Sequence, residues 1–258
     1  MSGALVTGAG TRLGRAMAIY LAERGYDVAV HYAGSQEGAQ ETAEACRALG
    51  VRAEVVQADL LNPEEVETLV PAAARAIGQL TVLVNNASIF EDDDIETATA
   101  ESWDKHIGSN LRAPFFLTQA FAAQAPDAGT DENGEPIATG LVVNMIDQRV
   151  KKLTPYFMTY TIAKMGLWAF TQTAARALAP RIRVNGIGPG PTLQGANQSD
   201  EAFAHQRANT VLERGANPSD ITGALGYFLD APAVSGQMIA VDGGQHLGWK
   251  TPEIQGRD

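Results

Sequence analysis

Thr7-Gly8-Ala9-Gly10-Thr11-Arg12-Leu13-Gly14 (TGAGTRLG) joins a short apolar run, residues 4–7, to an amphipathic one, residues 13–24. Glycines let the backbone turn tightly and approach a pyrophosphate. The first turn of a helix offers such an anion free N–H groups and the positive end of the helix dipole. A glycine-rich turn that only packs a helix on a strand reads the same way in isolation, so the segments around it decide.

Those segments alternate. Leu13, Met17, Tyr20 and Leu21 recur at helical spacing, and the run stops at Gly25. Residues 28–32 read as a second strand, 36–49 as a helix closed by Gly50, and 53–57 as a third strand. Asn62-Pro63-Glu64-Glu65 supplies a cap, a proline at the first helical position and acids near the positive end of the dipole. Residues 80–84 form a fourth strand. A helix is expected over 102–124, kinked or interrupted at Pro114. Strands at 141–146, 182–187 and 238–241 and helices at 155–178 and 219–229 complete the pattern.

Strands alternating with helices imply βαβ units and a parallel sheet, and right-handed crossovers wind helices onto both faces. The expectation is an α/β fold: a single Rossmann-type doubly wound sheet of about seven strands. One dinucleotide-binding and catalytic domain is expected over residues 1–258. The turn-rich stretch 126–139 reads as an exposed insertion. Residues 189–217 leave the carboxyl edge of the sheet, where ligands bind in such folds, and read as a substrate loop or lid.

Composition agrees. Of 258 residues, 45% are hydrophobic and 19% charged, which excludes wholesale disorder. The single cysteine, Cys46, excludes an internal disulfide framework and a Cys-rich zinc site, and no metal centre is expected. A net charge of −11, from 30 acids and 19 bases, argues against duplex nucleic acid or an anionic membrane as the main partner. No apolar run reaches the roughly 18–20 residues of a membrane span. The opening residues carry no basic and apolar leader pattern, so a cytoplasmic location is expected.

The end of the second strand sets the cofactor's flavour. An NAD site usually places an acid there for the ribose diol. Here the segment is Val30-His31-Tyr32-Ala33-Gly34-Ser35, with no acid before Glu37, and Asp27 lies at the wrong end. Arg12 and Ser35, with His31, Tyr32 or backbone N–H groups, are candidates to accept a 2′-phosphate, so NADPH/NADP+ is expected. Asp59-Leu60 follows the third strand, where a carboxylate can accept from adenine or simply lead a helix. Asn86-Ala87-Ser88 follows the fourth strand, where small residues let backbone pass close to a cofactor.

Tyr160 and Lys164 lie four apart in the long helix, hence on one face. A nearby ammonium favours the phenolate and lowers the phenol's pKa, fitting the tyrosine to general acid chemistry. Asp147 stands 13 residues earlier, at the end of the fifth strand.

Taken in order, TGAGTRLG, ADL at 58–60, NNAS at 85–88, GSN at 108–110, YTIAK at 160–164, RVNGIGPG at 183–190 and VDGG at 241–244 resemble the short-chain dehydrogenase/reductase family over nearly the whole chain. The resemblance implies Tyr160 as acid/base, Lys164 on the nicotinamide ribose and Asn110 positioning a relay water. It also implies cofactor contacts from Gly8, Leu13, Gly14, Pro189 and Gly190, and a homotetramer.

Two departures sharpen it. Arg12 replaces a glycine of the general motif, and Asp147 holds the usual catalytic serine position. Both are features of the pteridine reductase branch, as are NASIF at 86–90, NMID at 144–147 and the insertion at 126–139. That similarity implies a pterin substrate, with Phe90 stacking one pterin face and Asp147 binding or protonating the ring. Ser88, Arg12 and Tyr160 would complete the pocket. The alternatives are a carbonyl or 3-oxoacyl reductase, with Asp147 a drifted serine, and, more remotely, a cofactor-binding regulatory protein.

The remaining features take plainer readings. Glu91-Asp92-Asp93-Asp94 reads as a solvated loop, Cys46 as a packing residue, and Trp103 and Trp168 as core or interface. His246 and Trp249 lie near enough to the C-terminus to reach the substrate mouth or a neighbouring subunit.

Overall fold

The computed structural model describes residues 2–195 and 198–249. Its elements run β1 (Gly3–Val6), α1 (Arg12–Glu23), β2 (Asp27–Tyr32), α2 (Gln36–Ala48), β3 (Ala53–Gln57), α3 (Pro63–Ile77), β4 (Leu80–Asn85), α4 (Ala100–Ile107), α5 (Ala113–Gln124), β5 (Gly129–Thr130), β6 (Pro136–Ile137), β7 (Gly140–Met145), α6 (Met158–Leu178), β8 (Ile182–Pro189), α7 (Asp200–Ala208), α8 (Pro218–Asp230) and β9 (Met238–Val241).

Seven strands form one sheet in the order β3-β2-β1-β4-β7-β8-β9, with every pair parallel. The central strands β1 and β7 are buried along their whole length, as expected when helices cover both faces. One face carries a core built around Met17, Leu21, Val28, Val30, Leu225 and Phe228 from α1, α8 and the strands. The other carries Leu69, Ile77, Leu83, Leu117, Phe121 and Ile182 from α3, α5 and the strands. Cys46 is fully buried in the first of these. The strand order reverses between β1 and β4, so the loops after them flank the crevice where ligands bind in such sheets.

The chain departs from the sequence reading at several places. The expected helix from 102 to 124 is two helices, α4 and α5, joined by a π-helical turn, Gly108–Arg112. Pro114 offers no N–H to the carbonyl of Asn110, so the ladder loosens just ahead of it. The long helix starts at Met158 rather than 155, because Phe157 sits in the left-handed region at φ 55°. Trp103, read as core or interface, is exposed on this chain and so lies outside the core. The stretch 126–139 holds the β5–β6 hairpin, apart from the main sheet.

Asp93 is not part of a solvated loop: it is buried and accepts from the Thr159 backbone N–H, the Thr159 hydroxyl and the Ser102 hydroxyl. Burial opposes its ionisation, but those hydrogen bonds outweigh it and hold the carboxyl below the usual range. It thereby fastens the loop after β4 to the start of α6. Among the described residues, no helix is long and apolar enough to cross a membrane, and no group of three His, Cys, Asp or Glu could hold a metal.

Candidate active site

A cleft of about 530 Å³ opens at the carboxyl ends of β1, β4, β7 and β8. Gly8, Arg12, Leu13 and Gly14 line one end; Ser88, Phe90, Asp147, Tyr160 and Lys164 line the other. Tyr32, Ser35, Asn86, Ala87, Pro189 and Gly190 also border it. Its volume falls within the range of small-molecule and cofactor sites.

The glycine turn is packed to its limit. A Cβ on Gly14 would lie 2.1 Å from the Gly8 carbonyl oxygen and 2.6 Å from Asn86 Nδ2. Gly8 has φ 62°, and a Cβ there would meet the Ala87 backbone at 3.0 Å. The Asn86 side chain donates to the Thr7 and Gly8 carbonyls, and the Thr7 hydroxyl accepts from the backbone N–H groups of Asn86 and Ala87. These bonds tie the β1 and β4 loops into one surface. With no acid in the first turn of α1, that surface suits a pyrophosphate.

His31 does not reach the cleft. It is buried; its Nδ1 accepts from the Gly8 N–H and its Nε2 donates to the Ala58 carbonyl, each at 3.0 Å. The ring braces the glycine turn and has no donor left for a 2′-phosphate. Burial, opposed by the bond to Ala58, pushes its pKa down to about 4. Asp59 and Leu60 also lie outside the cleft lining. Asp59 accepts from the Leu61 N–H while its own N–H donates to Glu65, and Leu60 is buried in the core. Arg12, at φ 54°, lines the cleft. Its guanidinium donates to the carbonyls of Gln194 and Leu193 at 2.8 and 3.1 Å.

At the other end, the Tyr160 phenol donates to Asp147 Oδ2 at 2.9 Å, while Asp147 Oδ1 accepts from the Arg149 N–H at 2.7 Å. Burial raises the Asp147 pKa, against the hydrogen bonds from Arg149 and Tyr160. Burial, then the Asp147 charge and hydrogen bond, raise that of Tyr160 well above the ordinary phenol value. The expected lowering by Lys164 is therefore corrected: the phenol is held protonated.

Lys164 is buried, with Nζ donating to the Met145 carbonyl at 2.7 Å and lying 5.5 Å from the centre of the Tyr160 ring. Burial, against the attraction of Asp147, lowers its pKa to about 8. Asn110, in the π turn, is also buried. Its Oδ1 accepts from the Ser88 hydroxyl at 2.5 Å and its Nδ2 donates to the Ile89 carbonyl at 2.9 Å. Asn110 thus tethers the loop that carries Ser88 and Phe90.

Phe90 is half exposed and lies parallel to Phe157, with centroids 4.3 Å apart and an interplanar angle of 3°. It meets the Tyr160 ring edge-on at 4.8 Å. Phe157 and Arg149, whose guanidinium lies 4.5 Å from the Phe157 ring centre, were not singled out from the sequence. The one available signal was the position of Phe157, three residues before Tyr160. His246 is drawn away from the cleft by its 2.7 Å contact with Asp242, while the neighbouring Gln245 lines it. Trp249 is exposed.

A family model described as enoyl-(acyl carrier protein) reductase matches residues 8–246. The chain is 33% identical over 249 residues to a 3-oxoacyl-[acyl-carrier-protein] reductase, FabG, of Staphylococcus aureus, covering 95% of this chain and 98% of that protein. Among solved structures it resembles FolM alternative dihydrofolate reductase 1 from Brucella suis in complex with NADP, at 42% identity and TM-score 0.91, covering 98% of both chains. It also resembles the landomycin C-6 ketoreductase LanV with bound NADP and rabelomycin, at 30% identity and TM-score 0.83, covering 96% of this chain and 97% of that one.

Proposed function

The chain belongs to the short-chain dehydrogenase/reductase family, and from that premise we propose that it reduces a pterin, a dihydropterin or related ring with a C=N bond, at the expense of NADPH. It is an oxidoreductase of that family, and its cofactor is NADP(H).

One observation carries the pterin reading: a carboxyl group, Asp147, receives the hydrogen bond of the Tyr160 phenol at 2.9 Å, where the family resemblance expects a serine. Reducing C=N takes a hydride at carbon and a proton at nitrogen. The cofactor, when bound, supplies the hydride. Gly8, Leu13, Gly14, Asn86 and Ala87 would seat it, with Pro189 and Gly190 at the nicotinamide end. Tyr160, kept protonated by its surroundings, gives the proton to the ring nitrogen. Asp147 holds the phenol in place and, as the O–H turns to the ring nitrogen, is free to accept from ring N–H groups instead. Lys164 places a positive charge beneath the phenol as negative charge grows on it. Phe90 offers an aromatic wall for a flat ring, and FolM, the 42%-identical relative, is described as an alternative dihydrofolate reductase.

The strand end 30–35 carries no acid, which supports NADPH over NADH. The exposed apolar side chains Phe115, Phe116, Ile162 and Met165 of α5 and α6 support association with further copies, in keeping with the expected tetramer. The lone buried cysteine supports the reducing cytoplasm as the setting.

A 3-oxoacyl reductase is the second reading, favoured by the 33% identity to FabG. NADPH oxidation with dihydrobiopterin, dihydrofolate and a panel of ketones and 3-oxoacyl thioesters separates the two. Turnover of a dihydropterin supports the proposal; turnover of ketones or 3-oxoacyl thioesters alone overturns it.

A further inference from the structure

Arg149 caps the aromatic wall of the cleft. Its guanidinium lies 4.5 Å from the ring centre of Phe157 and 5.9 Å from that of Phe90. Among the described residues, its guanidinium donates to the Thr154 hydroxyl, at 3.1 Å. Asp147 feels its charge, but the Asp147 carboxylate is already engaged by the Arg149 backbone N–H and the Tyr160 phenol. Among the described residues, Arg149 forms no ion pair, and neither do Lys151 and Lys152 in the same short segment. In a chain of net charge −11, three cations within four residues and without acidic partners stand at odds with the prevailing sign.

We infer that Arg149 receives an anionic group on the substrate's tail, so that the preferred substrate is a reducible pterin ending in a carboxylate rather than in a neutral polyol. This rests on the pterin reading above. Asp147, Tyr160, Phe90 and Arg149 line the same cleft, so a ring held at Asp147 and Tyr160 with its substituent lying along Phe90 would bring that substituent to the guanidinium. The planar fork of that group matches a carboxylate bidentately. The rings of Phe90 and Phe157 beside it suit a flat aryl spacer between pterin and carboxylate. Dihydrofolate has both features; dihydrobiopterin has neither.

The competing role for Arg149 is a brace that only holds Phe157 by cation–π contact. A brace does not distinguish substrates by tail charge. The experiment measures kcat and KM for dihydrofolate and dihydrobiopterin, at saturating NADPH, in wild type, Arg149→Gln and Arg149→Lys. Wild type is expected to prefer dihydrofolate. Arg149→Gln should reduce that preference by about five- to tenfold through KM, as loss of a charge-assisted contact at a partly exposed site implies. Arg149→Lys should recover part of it. Raising salt from about 50 to about 500 mM should erode the wild-type preference without any substitution.

A preference ratio unchanged in Arg149→Gln, or insensitive to salt in wild type, overturns the inference and leaves Arg149 as a brace. Reduction of neither pterin overturns the pterin reading itself, and this inference with it.

Discussion

The phenol of Tyr160 and the carboxylate of Asp147 form one hydrogen-bonded unit, 2.9 Å from oxygen to oxygen, inside the cleft. The pairing makes the phenol a loaded proton donor: burial and the adjacent negative charge both disfavour phenolate. Tyr160→Phe keeps the ring and its contacts with Phe90 but removes the proton. Turnover should fall by about 10²–10⁴-fold, the usual contribution of general acid catalysis. NADPH should still bind, as read by quenching or transfer of protein fluorescence. Near-normal turnover would show that the proton comes from another group.

Lys164 gives the pH dependence its sign. Its pKa is lowered to about 8, so the ammonium is present below that pH and lost above it. Tyr160 remains protonated well beyond this range and contributes no limb there. kcat/KM should therefore decline as pH rises through about 8. A profile measured from pH 6 to 10 checks this; a flat line to pH 10 contradicts the role given to Lys164.

His31 predicts an acid-sensitive fold. Its pKa is about 4 in the native state against an ordinary 6.5. Between those values the unfolded chain binds the proton and the folded chain does not, so stability is lost as pH falls from about 6.5 to about 4. The loss amounts to roughly 3 kcal/mol at most. Thermal melts across that window should show it, and His31→Gln should flatten the decline while lowering stability at pH 7. A wild-type decline that His31→Gln leaves unchanged assigns the effect to other groups.

How much of this was legible in the sequence follows from the kind of information each feature needs. The alternation of strands and helices, the glycine turn and the Tyr160–Lys164 pair are local patterns, and their spacing places them. His31 was a candidate phosphate donor because a strand residue's face depends on register; at its register the imidazole points to Gly8 and Ala58. Asp93 looked solvated because its partners, Thr159 and Ser102, lie in other elements. Phe157 was invisible because a non-glycine residue in the left-handed region has no sequence signature, yet that turn lays its ring on Phe90. The Asn110 tether depends on a π turn that helix periodicity does not announce.

Cofactor choice turns on the acid-free end of β2. Ala33 lines the cleft directly after Tyr32. Ala33→Asp places there the acid that favours a ribose diol and repels a 2′-phosphate. NADPH affinity should fall about ten- to hundredfold, the worth of one charge-assisted contact, while NADH affinity holds or improves. Parallel titrations of both cofactors check this. Equal losses for both would place the adenosine end of the cofactor elsewhere.

The central claim is that Asp147 adapts a tyrosine-dependent reductase to a pterin ring, and steady-state kinetics of wild type and Asp147→Ser on a dihydropterin and on a simple ketone test it most directly. The account predicts that wild type turns over the dihydropterin, and that Asp147→Ser lowers that turnover about tenfold or more, with NADPH affinity little changed. Ketone reduction, which needs no partner for a ring edge, should survive the substitution or improve. Wild type that ignores dihydropterins, or an Asp147→Ser enzyme that reduces them as fast as wild type, would contradict it.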